Sequence, residues 1–175
     1  MKNYLAIAVL IVSAAMTSCS PGKGKQVAHA PLATTADGKE IGSAQFFLLD
    51  DGKIKMDLEI NFPARADSTV AVHFHEHGDC GNMGENTHGH WNPTKEAHGK
   101  WGSAAYHSGD IGNITLDSKG HGTVSVTTDR WSITENEVNN IIGRGIIVHG
   151  GTDDYTTQPT GNSGPRVGCG VIVKD

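Results

Sequence analysis

Apolar and polar positions alternate in short runs along most of this chain, which is the pattern of half-buried β-strands. Residues 54–60 show it best, because Ile, Met, Leu and Ile alternate there with Lys, Asp and Glu. The preceding Asp50-Asp51-Gly52 is a hairpin signal of the Asp-Gly kind. The predicted strands cover residues 26–32, 41–49, 54–60, 69–75, 111–116, 122–127, 145–149 and 167–173.

No long amphipathic helical pattern interrupts these strands, and residues 131–142 read as irregular or as a single helical turn. Glycine is abundant, at 23 residues, and frequent turn signals with short apolar runs are typical of all-β proteins. The chain is therefore predicted to be all-β, a Greek-key β-sandwich or barrel of about eight antiparallel strands. Two long loops, at residues 78–109 and 150–165, are predicted to carry function.

The first of these loops is unusual because about 30 residues pass without periodicity. Loops of that length in compact domains are generally functional or disordered. Disorder is disfavoured here, since the loop holds Trp91, Trp101 and four histidines. A bound metal is the simplest agent that would order it.

The N-terminus resembles a targeting segment. Leu5 to Val12 is a continuous apolar run, too short to span a bilayer but suited to a signal peptide. Small residues before Cys19 resemble a bacterial lipobox, which predicts a signal peptide at 1–18, a lipidated Cys19 with a tether at 19–25, and a domain at 26–175. The protein is then expected in the bacterial envelope, anchored to a membrane through this lipid and facing the periplasm. The alternative is an ordinary signal peptide cut near Ser18, which would leave Cys19 as a spare thiol.

Charge and cysteine content narrow the possible partners. The formal net charge of −5 lacks the basic footprint that nucleic-acid binding requires, so no nucleic-acid partner is expected. With Cys19 lipidated, Cys80 and Cys169 form an even pair, and export permits a disulfide between them. Two unpaired thiols or cysteine metal ligands are the alternatives.

Histidine carries the candidate chemistry, with ten residues in the chain. His73 and His75 are two apart on a predicted strand, so they project from one face while Val72 and Phe74 fill the other. Two imidazoles aimed at one point indicate a metal site that needs further ligands. The candidate ligands are His73, His75, His90, His98, His107, Asp110 and His149.

The order and spacing of these residues resemble the copper/zinc superoxide dismutase family, over roughly residues 41–173. The matching motifs are Gly-His-Trp-Asn-Pro at 89–93, His-Ser-Gly-Asp at 107–110, Ile-Val-His at 147–149 and the glycine-rich stretch at 161–172. The resemblance implies copper ligands His73, His75, His90 and His149. It implies zinc ligands His90, His98, His107 and Asp110, with one copper and one zinc per subunit and His90 shared between them.

The resemblance also implies roles for residues near the metals. Asp153 is expected to hydrogen-bond His73 and His98, with the alternative that it is a solvated loop acid, as Asp154 is expected to be. Arg166 is expected to attract and orient superoxide, the alternative being a surface ion pair. Cys80 and Cys169 match the disulfide of the family.

The activity implied by the resemblance is disproportionation of superoxide to O2 and H2O2, through alternate reduction and oxidation of copper, with His90 carrying a proton. A non-enzymatic protein that buffers copper and zinc is the rival, and it would not need Arg166. Whether the protein is a monomer or a homodimer stays open. His77 and His88 are expected to be solvent-facing or to pack in the loop, His121 to be exposed, and His29 has no assigned role.

Overall fold

The computed structural model describes residues 24–175, so the predicted signal peptide and Cys19 lie outside the described residues. The described part contains nine β-strands and two short 3-10 segments, at Pro63–Arg65 and Asn82–Thr87. The strands are β1 (Lys25–Thr34), β2 (Glu40–Leu48), β3 (Ile54–Asn61), β4 (Thr69–His75), β5 (Asp110–Thr115), β6 (His121–Thr128), β7 (Gly145–His149), β8 (Arg166–Val171) and β9 (Val173–Lys174).

Eight strands form one antiparallel sheet in the order β5-β4-β7-β8-β1-β2-β3-β6, and the short β9 pairs with β1. The two end strands, β5 and β6, follow one another along the chain across a tight turn in which Asp117 N donates to His121 O at 2.9 Å. The sheet therefore curls into a nearly closed barrel. The β3–β4 and β6–β7 connections each pass two strands, which is Greek-key topology. The all-β Greek-key prediction is confirmed.

The core fills the inside of this barrel through strict alternation. In β3 the residues at positions 54, 56, 58 and 60 are buried, while the charged residues between them face outwards. Phe46, Phe74 and Trp131 form an aromatic cluster, with Phe74 and Trp131 ring centroids 4.9 Å apart. Phe74 and Val72 belong to this core, so His73 and His75, which alternate with them on β4, point away from it.

Strand ends agree closely with the sequence pattern. The predicted strands at 69–75 and 145–149 match β4 and β7 to the residue. The last predicted strand is divided instead into β8 and β9, because the fully buried Ile172 leaves the ladder and donates its N–H to Arg144 O at 3.0 Å.

The loop at 76–109 is tied to the barrel at several points. A disulfide joins Cys80 to Cys169 of β8, which confirms the predicted pair. Trp131 Nε1 donates to Ser108 O at 2.8 Å, and Trp91 N donates to Phe74 O at 2.8 Å. Within residues 24–175, no helix is both apolar and long enough to traverse a membrane.

Candidate metal centre

Two groups of buried ligand residues lie side by side against β4. In each group, one potential ligand atom per residue lies within 4.8 Å of every other. The first is called the copper group, after the copper ligands that the sequence resemblance implies, and consists of His73, His75, His90 and His149. The second is called the zinc group for the same reason and consists of His90, His98, His107 and Asp110. His90 belongs to both groups.

Strands supply three members of the copper group. His73 and His75 alternate on β4, and His149 is the last residue of β7, which pairs with β4. His90 comes from the loop but forms an isolated β-bridge with His75, which brings its ring to the same face. The ring centroids of His73 and His90 lie 3.9 Å apart. The sheet register thus aims four imidazoles at one point.

The free nitrogens of these imidazoles fit a metal ion. All are buried and have no hydrogen-bond partner among residues 24–175: His73 Nδ1, His75 Nε2, His90 Nε2 and His149 Nε2. A buried polar atom left unsatisfied costs about 1–3 kcal/mol, so four converging ones need an explanation. Four imidazole nitrogens are a donor set that suits copper, and a bound ion would satisfy all of them.

The zinc group is arranged around a carboxylate. Asp110 Oδ1 lies 2.9 Å from His90 Nδ1 and 3.3 Å from His107 Nδ1, and Asp110 Oδ2 lies 3.0 Å from His98 Nδ1. Backbone N–H groups of Gly99 and His107 also donate to Oδ2, at 3.2 and 2.8 Å. Three imidazoles and one carboxylate match the ligand types of a closed, four-coordinate zinc site.

The remaining ring nitrogens of the ligand histidines are anchored. His75 Nδ1 donates to His88 O at 2.8 Å, and His149 Nδ1 donates to Gly164 O at 3.2 Å. Such bonds fix the ring orientation and leave the opposite nitrogen free as an acceptor for a metal. The anchors hold the rings so that the free nitrogens converge.

Asp153 connects the two groups through one histidine of each. Its Oδ2 lies 2.8 Å from His73 Nε2 and its Oδ1 lies 2.9 Å from His98 Nε2, all of them buried. The structure therefore places Asp153 between one copper-group and one zinc-group histidine. Asp154, in contrast, is exposed and accepts hydrogen bonds from its neighbours Thr156 and Thr157.

Burial keeps the copper-group histidines neutral. It lowers the pKa of His75 to about 2 and that of His149 to about 3, with smaller contributions from neighbouring imidazoles and from the charge of Arg166. Burial also lowers the pKa of His90, to about 4, against the effect of the hydrogen bond that His90 Nδ1 donates to Asp110. A neutral imidazole is the form that binds a metal, so these ligands need not lose a proton at pH 7.

In the zinc group, hydrogen bonds and ion pairs favour the charged forms of His98 and Asp110. Burial disfavours the charged form of His98, but hydrogen bonds to Asp110 and Asp153 outweigh it and raise the pKa to about 9. Burial disfavours the ionised carboxyl of Asp110 too, yet its contacts with His107, His90 and His98 hold its pKa well below the usual range. Before a metal binds, His98 and Asp110 thus form an ion pair, and the metal must displace the proton of His98.

Arg166 lies beside the copper group at the start of β8, where it pairs with His149 in the sheet register. Its guanidinium donates to Gly84 O, Thr87 Oγ1 and His88 O at 2.6–2.7 Å. It also faces the exposed Glu85, with Nε and Oε1 3.5 Å apart. Arg166 thus forms the alternative ion pair, and its guanidinium is also held in a fixed position next to the copper-group histidines.

Two positioning residues have no sequence signal. Asn113 on β5 holds Asp153 on both sides, because Asp153 N donates to Asn113 Oδ1 at 2.8 Å and Asn113 Nδ2 donates to Asp153 O at 2.9 Å. Gln158 does the same for His98, accepting from its N–H at 2.9 Å and donating to its carbonyl at 3.0 Å. Lone amides in a strand and a loop look like ordinary polar residues, so only the contacts reveal them.

The four histidines outside both groups are exposed. His121 lies near Glu59, and His29 lies near Asp175. His77 and His88 face each other with ring centroids 4.8 Å apart. The expected solvent exposure of His77, His88 and His121 is therefore confirmed.

Comparison with known proteins supports the meaning of this geometry. The family model described as copper/zinc superoxide dismutase matches residues 41–172. One relative, superoxide dismutase [Cu-Zn] 2 of Aquifex aeolicus, is 33% identical over 177 residues, covering 98% of each chain. Superoxide dismutase [Cu-Zn] 1 of the same organism is 35% identical over 140 residues, covering 77% of this chain and 81% of the relative.

Solved structures show the same fold. A SOD-like protein from Bacillus subtilis superposes with a TM-score of 0.71 at 28% sequence identity. The match covers 82% of this chain and 96% of the Bacillus protein.

Proposed function

The chain belongs to the copper/zinc superoxide dismutase family, so it is a superoxide dismutase with copper and zinc as cofactors, and we propose that its two ligand groups hold these metals through a shared His90. The copper ligands are His73, His75, His90 and His149. The zinc ligands are His90, His98, His107 and Asp110.

The observation that carries this assignment is the separation of donor types. The copper group offers four buried nitrogens that have no hydrogen-bond partner among residues 24–175, and no carboxylate lies among them. In the zinc group, His98 Nδ1 and His107 Nδ1 also lack a hydrogen bond, but the three imidazoles surround one ionised carboxylate at 2.9–3.3 Å. Imidazole sets suit copper, and a closed site of three histidines and a carboxylate suits structural zinc. Bound copper supplies the one-electron exchange that the disproportionation requires, and bound zinc supplies a fixed positive charge within the loop.

Arg166 binds and orients the anionic substrate. Its guanidinium is always charged, and three hydrogen bonds to the loop hold it next to His149. The protein as a whole is negative, so the attraction for superoxide must be local. A protein that only buffers metal has no use for a fixed guanidinium at this place, and this favours the enzyme over the buffer.

His90 and Asp153 control protons and geometry. The reaction takes two superoxide ions and two protons to O2 and H2O2, and His90 Nε2 is a nitrogen that can hold one of those protons next to the substrate. Its other nitrogen, Nδ1, lies 2.9 Å from Asp110 Oδ1, where a zinc ion bound to both residues would hold it, so the ring would keep its place whether or not Nε2 carries a proton. Asp153 fixes His73 and His98 together, so that the two sites keep one relative orientation.

The test is a superoxide-removal assay on protein loaded with both metals, with metal content measured on the same sample. We expect one copper and one zinc per chain and a loss of at least about tenfold in rate for Arg166→Ala, since local steering contributes about 10–1,000-fold. Arg166→Lys is the matched control: it keeps the charge, loses the planar fork and should retain part of the rate. A loaded protein without activity, or an unchanged rate in Arg166→Ala, contradicts the proposal.

We also propose that the enzyme is exported and anchored through a lipid on Cys19, facing the periplasm, where it removes superoxide as part of envelope antioxidant defence. The support is the apolar run at 5–12 followed by small residues before Cys19. In a bacterial host, the full chain should fractionate with membranes and incorporate labelled fatty acid. Cys19→Ser should do neither, and identical behaviour of both chains would contradict the anchor.

A further inference from the structure

Two exposed histidines at the start of the loop at 76–109 repeat the arrangement of a buried pair. His75 and His90 form an antiparallel bridge, and both belong to the copper group. Continuing that register by two residues on each side places His77 opposite His88. Backbone hydrogen bonds maintain the pairing, since Glu76 N donates to Gly89 O at 3.1 Å and His77 N donates to Thr87 O at 3.2 Å.

The side chains at this exposed pair form a third ligand group. Glu76, His77 and His88 each offer one ligand atom, and these atoms lie within 4.8 Å of one another. The rings of His77 and His88 meet edge to face with centroids 4.8 Å apart, and His88 Nδ1 lies 3.9 Å from Glu76 Oε2. Cross-strand neighbours of this kind are close enough to bind one ion together.

The backbone of His88 gives a second, independent observation. Its φ of 63° and ψ of −140° lie close to a region that is used almost only by glycine. A Cβ in that conformation costs about 1–3 kcal/mol, and glycine would be free of that cost. Such outliers cluster at functional sites, where the side chain that is retained has a use. Here the imidazole of His88 points at His77 and Glu76.

We propose that Glu76, His77 and His88 form a third metal site, on the surface, for a divalent transition ion such as Zn2+. Two imidazoles and one carboxylate are ligands that Zn2+ and Cu2+ accept, and they leave at least one position for water. The site is open to solvent, so it binds more weakly and exchanges faster than the two buried groups. It shares no side chain with them, and it therefore does not depend on the proposed function.

The proposed surface site is linked to the copper group through the backbone of His88. The carbonyl of His88 accepts hydrogen bonds from His75 Nδ1 and from Arg166 Nη2, at 2.8 and 2.7 Å. An ion bound by the His88 imidazole would thus be held by the same residue whose carbonyl orients His75 and Arg166. Glu76 also lines a pocket together with Gly89, His90 and His107.

The test compares metal binding by the wild type, His77→Ala and His121→Ala. Each protein is loaded with copper and zinc and then equilibrated against graded concentrations of free Zn2+, and bound metal is counted per chain. We expect the wild type and His121→Ala to bind one more Zn2+ than His77→Ala. His121 is the matched control because it is also exposed and lies 3.2 Å from a carboxylate, that of Glu59, but has no second histidine.

The test uses the difference in bound Zn2+ between the three proteins. Incomplete loading of the buried sites affects all three equally and leaves this difference unchanged. Equal zinc counts in the wild type and His77→Ala overturn the proposal, and so does an equal loss in His121→Ala, which would indicate general binding by surface histidines. His88→Gly provides a second arm. It should lose the same ion while its melting temperature in the absence of added Zn2+ is no lower, because glycine relieves the backbone; retention of the ion overturns the proposal.

Discussion

The copper group and the zinc group share a histidine and a bridging aspartate, yet they are built on different parts of the fold. Three copper-group members, His73, His75 and His149, are on adjacent strands. The zinc group takes His98 and His107 from the loop at 76–109 and only Asp110 from a strand end. The first group is aimed by the sheet, while the second is assembled by its own contacts.

The two groups also differ in charge, as they do in the elements that carry them. The sheet can bury neutral imidazoles at little electrostatic cost, and their pKa values fall accordingly. Loop residues lack a ladder of backbone hydrogen bonds, and here a buried carboxylate gathers them instead, which raises the pKa of His98 to about 9. The comparison predicts that the zinc group governs the order of the loop and is sensitive to protons, whereas the copper group is preorganised.

The largest expected effect is that of Asp110→Ala. Removing one partner of a buried ion pair costs about 3–5 kcal/mol, and without Asp110 the charged His98 keeps only one of its two carboxylates, that of Asp153. We expect that loss of unfolding free energy in metal-free protein, together with loss of zinc. His149→Ala is the control on the other side: it should lose copper, keep zinc and destabilise the fold less. The comparison is wrong if His149→Ala is the more destabilising of the two, as measured by denaturant unfolding with metal analysis.

Opening the disulfide should come next. Cys80 and Cys169 lie 89 residues apart in sequence and join the loop to β8, and removing such a bridge from a small exported domain costs about 2–5 kcal/mol. Replacing both cysteines by serine should lower zinc affinity more than copper affinity, because the loop carries the zinc ligands. Equal losses of both metals in an equilibrium competition with a chelator would mean that the strands also depend on the loop.

Gly161→Ala tests the bridge between the groups. Gly161 has a φ of +66°, and a Cβ there would lie 1.8 Å from Asp153 Oδ1 and 2.6 Å from His98 Nε2. We expect about 1–3 kcal/mol of destabilisation from the strain and the displaced carboxylate, with a changed copper spectrum because His73 loses its anchor. Gly102→Ala is the control, since its φ is also positive, at +80°, but its Cβ would meet nothing within 4 Å. Equal effects of both changes would exclude a role for the Asp153 contact.

The smallest expected effect is that zinc and copper are released at different pH values. Protons compete for His98 at every pH below about 9, because its pKa is raised, whereas they compete for His75, His149 and His90 only below about 2–4. As pH falls from 7 towards 4, zinc should therefore leave before copper. Metal content after equilibration at stepped pH values measures this directly, and release of copper first would reverse the assignment of the two groups.

Much of this organisation could be predicted from local signals. The apolar–polar alternation located the strands, with β4 and β7 matching to the residue, because side-chain direction in a strand has a fixed period of two. The order of His73, His75, His90, His98, His107, Asp110 and His149 was sufficient to predict a metal-binding loop and a family. Both signals are properties of neighbouring residues and of spacing along the chain, which folding does not alter.

Other features depend on contacts between distant segments, and only the tertiary structure decides them. Asn113 and Gln158 act on residues 40 and 60 positions away, and Arg166 is fixed by carbonyls about 80 residues earlier. The sequence marked His77 and His88 as surplus histidines, but the pairing register places them opposite each other beside Glu76. Register and barrel closure are collective results of packing, so no local pattern specifies which hydrogen-bond partner each buried nitrogen finds. The sequence by itself determined the elements and the ligand types, and the fold decided how each ligand is aimed, charged and held.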